Sequence, residues 1–280
     1  VPTRRSLLAA VAALPLTACS TATTGTDPAA EPLERTRPMR LTYGEDPSQF
    51  GELTRPAGRS KGVVVVIHGG FWKAEYDLEL GRPLAVSLAE QGWTAWNIEY
   101  RRVGNGGGAP ATFDDVHAAV ELLATVDGLD TSTLLTLGHS AGGHLAVWAA
   151  GRQRHPQWGG ARVAVTGAIS QAGVLDLVGA ESDDLGDHAA ARFLGHAPTT
   201  ADVAYDPRQQ VPLGVPVRCI HGRADDVVPL RQSADYVTAA AAAGGDARLV
   251  EVDGDHFVVI DTESAAWARQ LGLLDELGGR

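Results

Sequence analysis

The chain has 280 residues, with 23 Lys and Arg against 34 Asp and Glu, for a formal net charge of -11. That length suffices for one α/β domain burying roughly three quarters of its extended surface, and the acidic balance argues against a nucleic-acid stripe or a polybasic membrane anchor. Hydrophobic residues make up 44% and charged residues 20%, and the only cysteines are Cys19 and Cys219. The composition is globular, and the cysteines are too few for a multi-disulfide scaffold or a four-cysteine zinc site.

The N-terminus reads as an address. Arg4-Arg5 precede an apolar run from Leu7 to Leu16, followed by Thr17-Ala18-Cys19. A basic start, a short apolar segment and small residues before a cleavage point describe an export signal over residues 1–18. The run is too short to cross a bilayer, which takes about 20 residues. Its end resembles a bacterial lipoprotein signal, in which the cysteine is lipidated after cleavage. That resemblance implies a chain lipid-anchored through Cys19 on the outer face of a bacterial cytoplasmic membrane. The competing readings are plain secretion and an ordinary apolar N-terminus with an accidental cysteine. Residues 19–38, rich in Thr, Pro, Ala and Glu, have the composition of a flexible linker. With Cys19 acylated, Cys219 would be the sole thiol and no internal disulfide could form.

From residue 39 the pattern alternates strand and helix. Met39 to Tyr43 reads as an opening strand, followed by a turn-rich stretch. Val63-Val64-Val65-Val66-Ile67 is a continuous β-branched run, the signature of a strand covered on both faces. Leu80, Leu84, Ala85 and Leu88 recur at helical spacing over residues 78–91, and Gly92 ends that helix. A strand follows at 94–100, a Gly-rich loop at 105–110, a helix at 112–125, a strand at 133–137 and a helix at 141–150. Later come strands at 162–169, 215–220 and 247–252, and helices at 230–243 and 263–277. Segment 172–214, with one helix at 187–194, breaks the rhythm and is too small for a domain, so it reads as an insertion or small cap. Strands spaced by helices imply a mostly parallel central sheet with helices on both faces.

Four loops after strands carry the candidate chemistry. Gly138-His139-Ser140-Ala141-Gly142 fits G-x-S-x-G between a strand and a helix, the context in which that motif presents a nucleophilic serine. Its glycines leave room for a sharp turn, and the dipole of the following helix faces developing negative charge. His68-Gly69-Gly70-Phe71-Trp72 follows the Val-rich strand. Two adjacent glycines let backbone N–H groups approach a ligand, so Gly69, Gly70 and Phe71 join the amide of Ala141 as an oxyanion-hole candidate. Gly70 and Phe71 are the preferred donors, with Gly69 shaping the turn and His68 bracing it. His221-Gly222-Arg223-Ala224-Asp225-Asp226 offers two carboxylates as candidates to orient a histidine. Gly254-Asp255-His256-Phe257 offers the general base, His256, with His68, His139, His144 and His221 as competitors. The order Ser140, Asp225, His256, each after its own strand, favours His256. Trp72 and Phe257, beside these loops, are candidates for a substrate pocket or for plain packing. Arg101 and Arg102 either select an acidic substrate or serve the surface.

Together these motifs resemble the α/β-hydrolase superfamily, over residues 39–280. The stretch from His221 resembles the hydrolase pattern H-G-x-x-D-x-x-V-P, whose aspartate falls on Asp225. HGG at 68–70 is similar to the HGG-type serine esterases and lipases. The pair Phe71-Trp72 with GHSAGGHL at 138–145 looks like the carboxylesterase and kynurenine formamidase-like branch. The resemblance implies ester cleavage through a Ser-Asp-His triad and an acyl-enzyme, on small or medium substrates and with no metal or organic cofactor. The alternatives are an arylformamidase or amidase and a small-peptide exopeptidase. A non-catalytic binding protein of this fold is disfavoured because no triad member is missing. A dehydrogenase is disfavoured because HGGFW, not G-x-G-x-x-G, follows the first strong strand.

Overall fold

The structure, a computed structural model, describes residues 37–279. The expected export signal, Cys19 and the linker up to residue 36 lie outside the described residues.

Eight strands form one sheet in the order β1-β2-β4-β3-β5-β6-β7-β8. They are β1 (Met39–Thr42), β2 (Phe50–Thr54), β3 (Val63–Ile67), β4 (Thr94–Ile98), β5 (Leu134–His139), β6 (Gly167–Gln171), β7 (Val217–Gly222) and β8 (Ala247–Val252). β1 and β2 pair antiparallel and β2 joins β4 antiparallel, while β4-β3-β5-β6-β7-β8 is parallel throughout. The expected mostly parallel sheet is what the chain forms.

β3 shows why a continuous apolar run can sit at the centre. Its side chains alternate, so Val63, Val65 and Ile67 enter one core with Trp96, Phe113, Leu145 and Trp148. Val64 and Val66 enter another with Leu84, Leu88, Trp267 and Leu274. The first core is covered by α2 (Ala111–Leu122) and α3 (Ala141–Gly151), the second by α1 (Arg82–Glu90) and α7 (Ala265–Leu277). Helix α3 is apolar nearly all round and almost wholly buried, as a helix enclosed by sheet and neighbours must be. Between β6 and β7 lie two short helices, α4 (Leu177–Ser182) and α5 (Ala189–Leu194); α6 (Arg231–Ala242) packs by β7 and β8.

Several expectations shift, among them segment 172–214, which carries two short helices where one was expected at 187–194. β2 replaces the turn-rich stretch: Gly51 sits where any side chain would collide with the indole of Trp96, so the strand lacks an apolar alternation. The strand expected at 162–169 starts only at Gly167. Ahead of it, the amides of Arg162 and Val163 donate to Glu121, and the Val163 carbonyl accepts from Arg152, so these groups are unavailable to a ladder. Leu78–Gly81 is a 3-10 turn rather than α-helix, which rotates Leu80 out of phase and leaves it 42% exposed.

Candidate active site

The register places the four loops at one edge of the sheet. Ile67 of β3 is level with Gly138 of β5, and Gly138 with Ser170 of β6, so the turn after β3 lies beside the turn after β5. Gly222 of β7 is level with Val252 of β8, and the Ala224 amide donates to the Gly254 carbonyl at 2.9 Å, joining the last two loops.

Ser140 stands between β5 and α3 with φ 56° and ψ -120°, a backbone that L side chains rarely adopt. Its amide donates to the Gln171 carbonyl at 2.8 Å. The flanking glycines are steric requirements: a side chain at 138 would overlap the Gly142 carbonyl, and one at 142 the Ile67 carbonyl. At the first position of α3, the Ala141 N–H has no intrahelical acceptor and lies at the positive end of the helix dipole.

The turn after β3 closes with the Lys73 amide donating to the Gly70 carbonyl at 2.9 Å, with Phe71 (φ 53°) and Trp72 (φ 55°) both left-handed. Gly69 presses against Ser140 so closely that a Cβ there would meet the His139 carbonyl oxygen at 2.7 Å and the Ser140 Cβ at 3.1 Å. The turn holding Gly69, Gly70 and Phe71 therefore abuts the serine and the Ala141 amide.

Asp225 and His256 meet directly: His256 Nδ1 lies 2.7 Å from Asp225 Oδ2. Oδ1 of Asp225 accepts from the amides of Val227 (2.9 Å) and Val228 (2.8 Å), and His221 Nε2 stands 3.1 Å from Oδ2. Burial opposes ionisation of this carboxyl. The bonds from His221, His256 and the Val228 amide, with the His256 charge, outweigh it and hold Asp225 well below the usual carboxylate range. Asp226, its competitor, is exposed. Asp255 accepts from the amides of Phe257 and Val258, closing its own turn rather than reaching the imidazole.

The competing histidines are committed elsewhere. His139 donates from Nε2 to the His256 carbonyl at 3.0 Å, its ring 4.4 Å from that of His256; burial and then the His256 charge push it down to about 3. His144, pushed down to about 4 by burial, donates to the Tyr205 carbonyl at 2.8 Å in the core. His221 stands behind Asp225, with Nδ1 2.8 Å from Ser233 Oγ. His68 lies behind the glycine turn, with Nδ1 2.9 Å from the Gly69 carbonyl oxygen.

Ser140, His139 and His256 share the wall of a cavity of about 150 Å³. Phe71, Tyr76, Leu80, Val227, Phe257 and Ile260 supply its apolar surface. Phe257 is 57% exposed at its rim. Trp72 is not part of this wall: it is buried in the core, stacked on Phe193 at 4.6 Å between ring centres and edge-on to His144. Two successive left-handed residues send adjacent rings apart, one to the cavity and one inward. Arg101 is taken by Asp115 at 2.6 Å and Arg102 by Glu99 at 2.9 Å, so neither faces this cavity. Tyr76, Leu80, Val227 and Ile260 carried no motif in the sequence. A larger groove of about 530 Å³ between Arg82, Ser87 and Glu263 lies apart and is lined by neither histidine nor cysteine.

The family model that matches this chain, BD-FAE, covers residues 53–239. Esterase LipC of Mycobacterium tuberculosis (strain ATCC 25618 / H37Rv) is 29% identical over 227 residues, 71% of this chain and 53% of its own length. The chain therefore spans about half the length of that curated relative. Among solved structures, esterase B of Lactobacillus rhamnosis superposes with a TM-score of 0.74 at 23% identity, covering 88% of this chain and 87% of its own. A truncated carbohydrate esterase from gut microbiota gives 0.72 at 21%, covering 88% and 99%. Esterase 2 of Thermogutta terrifontis, phosphonylated by sarin, gives 0.72 at 22%, covering 85% and 93%. At these identities the structural likeness establishes the α/β-hydrolase fold.

Proposed function

This chain belongs to the BD-FAE family, and from that membership we propose that it is a serine hydrolase cleaving carboxylic esters of small or medium substrates. Residues 39–280 form its hydrolase domain in this reading. The observation that carries it is the shared cavity wall of Ser140 and His256, with Asp225 2.7 Å behind the imidazole. Names of similar proteins point the same way, since LipC, esterase B and esterase 2 are all called esterases.

In this mechanism His256 takes the proton of Ser140 as the hydroxyl attacks the ester carbonyl. Asp225 fixes the tautomer with the proton on Nδ1, leaving Nε2 free to accept, and stabilises the imidazolium. The N–H groups of Ala141, Gly70 and Phe71 receive the tetrahedral oxyanion, and Gly69 lets their turn close on the serine. His256 then protonates the leaving alcohol, and activates the water that releases the acid from the acyl-enzyme. Neither a metal nor an organic cofactor takes part. A cavity of about 150 Å³ lies well below the roughly 300–1,000 Å³ of typical ligand pockets, which suits a compact acyl group.

A hydrolysis panel of short and long acyl esters, N-formyl-kynurenine and aminoacyl amides, with Ser140→Ala as control, tests the reading. Preference for short esters that disappears with Ser140→Ala is expected. Preference for the formyl amide or the aminoacyl amides would replace the ester assignment, and turnover unchanged by Ser140→Ala would remove the mechanism. We also propose export, with residues 1–18 as signal, 19–38 as tether and lipid on Cys19. What supports this is the basic start, the short apolar run and the residues before Cys19. Mass spectrometry of the membrane fraction should find a lipidated Cys19 at the mature N-terminus; a soluble chain retaining residues 1–18 would refute it.

A further inference from the structure

Just past β4 lies a buried carboxylate that the mechanism above leaves without a role. Glu99 Oε1 accepts the Tyr100 amide at 2.7 Å and an Arg102 Nη1 contact at 2.9 Å, and lies 3.2 Å from His68 Nε2. Its Oε2 accepts the Leu78 amide at 3.1 Å. The side chain is only 4% exposed. Around it, the Tyr100 hydroxyl donates to the His68 carbonyl at 2.7 Å, and its ring stacks on His68 with 4.4 Å between centres. Arg102 donates onward to the Tyr76 carbonyl. One carboxylate thus ties together the end of β4, the segment entering Leu78, and the histidine that opens the glycine turn.

A buried charge is a poor way to hold a loop if stability is the only gain, because apolar packing of the same volume often serves as well. What a carboxylate adds is direction, since each of its lone pairs must meet a particular donor. The donor with leverage on chemistry is His68. Its carbonyl is held by Tyr100, its Nε2 by Glu99, and its Nδ1 lies 2.9 Å from the Gly69 carbonyl oxygen, which fixes the peptide leading into Gly70.

We propose that Glu99 is a positioning residue which, acting through His68, holds the Gly70 and Phe71 amides where the oxyanion forms. The proposal rests on the serine-hydrolase reading. Glu99→Gln keeps the shape but places an NH2 donor against either the Leu78 amide or the cluster at Oε1, so one side must move. Misplacing oxyanion donors weakens transition-state binding more than substrate binding.

The experiment compares wild type, Glu99→Gln and Glu99→Asp on a short acyl ester. It also measures Ki for a trifluoromethyl ketone, which forms a tetrahedral adduct with the serine, and for the planar carboxylate product. Glu99→Gln should lower kcat by about 10- to 100-fold, leave KM within about threefold and raise the ketone Ki in parallel with the kcat loss. The product Ki should stay put. Near-UV circular dichroism gives the folded fraction used to normalise kcat. Unchanged normalised kcat and ketone Ki in a wild type whose turnover depends on Ser140 would overturn the positioning role. A wild type with no Ser140-dependent turnover would instead overturn the hydrolase reading. If Glu99→Gln does not fold, Glu99→Asp carries the test, because it keeps the charge but draws the carboxylate back from His68 Nε2. It must then show the same rise in ketone Ki at constant product Ki, and no rise overturns the proposal.

Discussion

The strain at Ser140 can be weighed by comparing two variants that both lack the nucleophile. Ser140→Ala keeps a Cβ at φ 56° and ψ -120°; Ser140→Gly removes it. Holding a non-glycine residue in so sparsely populated a region costs about 1–3 kcal/mol. Glycine gives back about 0.5–1 kcal/mol through the extra freedom of its unfolded chain. The methyl lost between the two variants faces the cavity on one side and Gly69 on the other, so only part of its packing goes with it. The balance favours Ser140→Gly by about 1 kcal/mol, and in a chain of this size that corresponds to roughly 2–4 °C in Tm. Differential scanning calorimetry of the two purified variants at one pH and scan rate measures the difference directly. Both should be inactive on esters, so activity does not enter the comparison. A Tm for Ser140→Gly at or below that of Ser140→Ala would refute the claim that the elbow stores backbone strain.

Asp225→Asn should lower kcat by roughly 10⁴-fold at neutral pH, because the amide no longer enforces the Nδ1–H tautomer of His256; steady-state kinetics on a short ester reads this, and a loss under tenfold would contradict it. The same carboxyl should contribute to acid stability with a definite sign. Its folded value lies below its unfolded one, so on acidification the unfolded chain takes up the proton first. The stabilisation is complete above about pH 4 and is lost as pH falls through the folded value, so urea midpoints of wild type and Asp225→Asn should converge towards low pH and diverge above it. Phe257→Ala, at a rim position 57% exposed, should raise KM for apolar esters by about 3- to 10-fold while moving stability by under about 0.5 kcal/mol. A Tm drop of many degrees would instead make Phe257 a packing residue. Leu88→Ala, fully buried between α1 and the sheet, should cost about 2–5 kcal/mol, read as a shift of the urea midpoint at unchanged slope.

What the sequence discloses is what leaves a local mark. β3 and β8 are legible to the residue, β3 because its β-branched apolar run is set along the strand itself. β2 was not, since its strand character depends on Trp96, whose ring lies over Gly51 from β4. The same division runs through the site. Ser140, Asp225 and His256 each follow a strand and carry glycines nearby, because sharp exits from a sheet need them. Asp225 and Asp226 carry no such local distinction; in space one carboxylate is buried against His221 and His256 while the other faces solvent. Trp72 misled for the converse reason: an aromatic pair announces apolar surface but not which ring turns inward, and two consecutive left-handed residues decide that.

The rest of the cavity wall lies beyond such local marks. Leu80, Val227 and Ile260 come from three separate connections, and only the strand order brings those connections to one mouth. β3 sits between β4 and β5, so the turn after β3 has the end of β4 on one side and the elbow after β5 on the other. This placement also explains why Glu99 escaped notice in the sequence. Read along the chain, it is one acidic residue between an isoleucine and a tyrosine, with nothing periodic about it. Read across the sheet, it is the first side chain past β4, the neighbour of β3, and it reaches His68 Nε2 at 3.2 Å. In the proposed mechanism the donors on the front of that turn must be held rigid without filling the cavity. Glu99 and Tyr100 reach His68 from the end of β4, with Arg102 bound to Glu99, and none of the three lines the cavity.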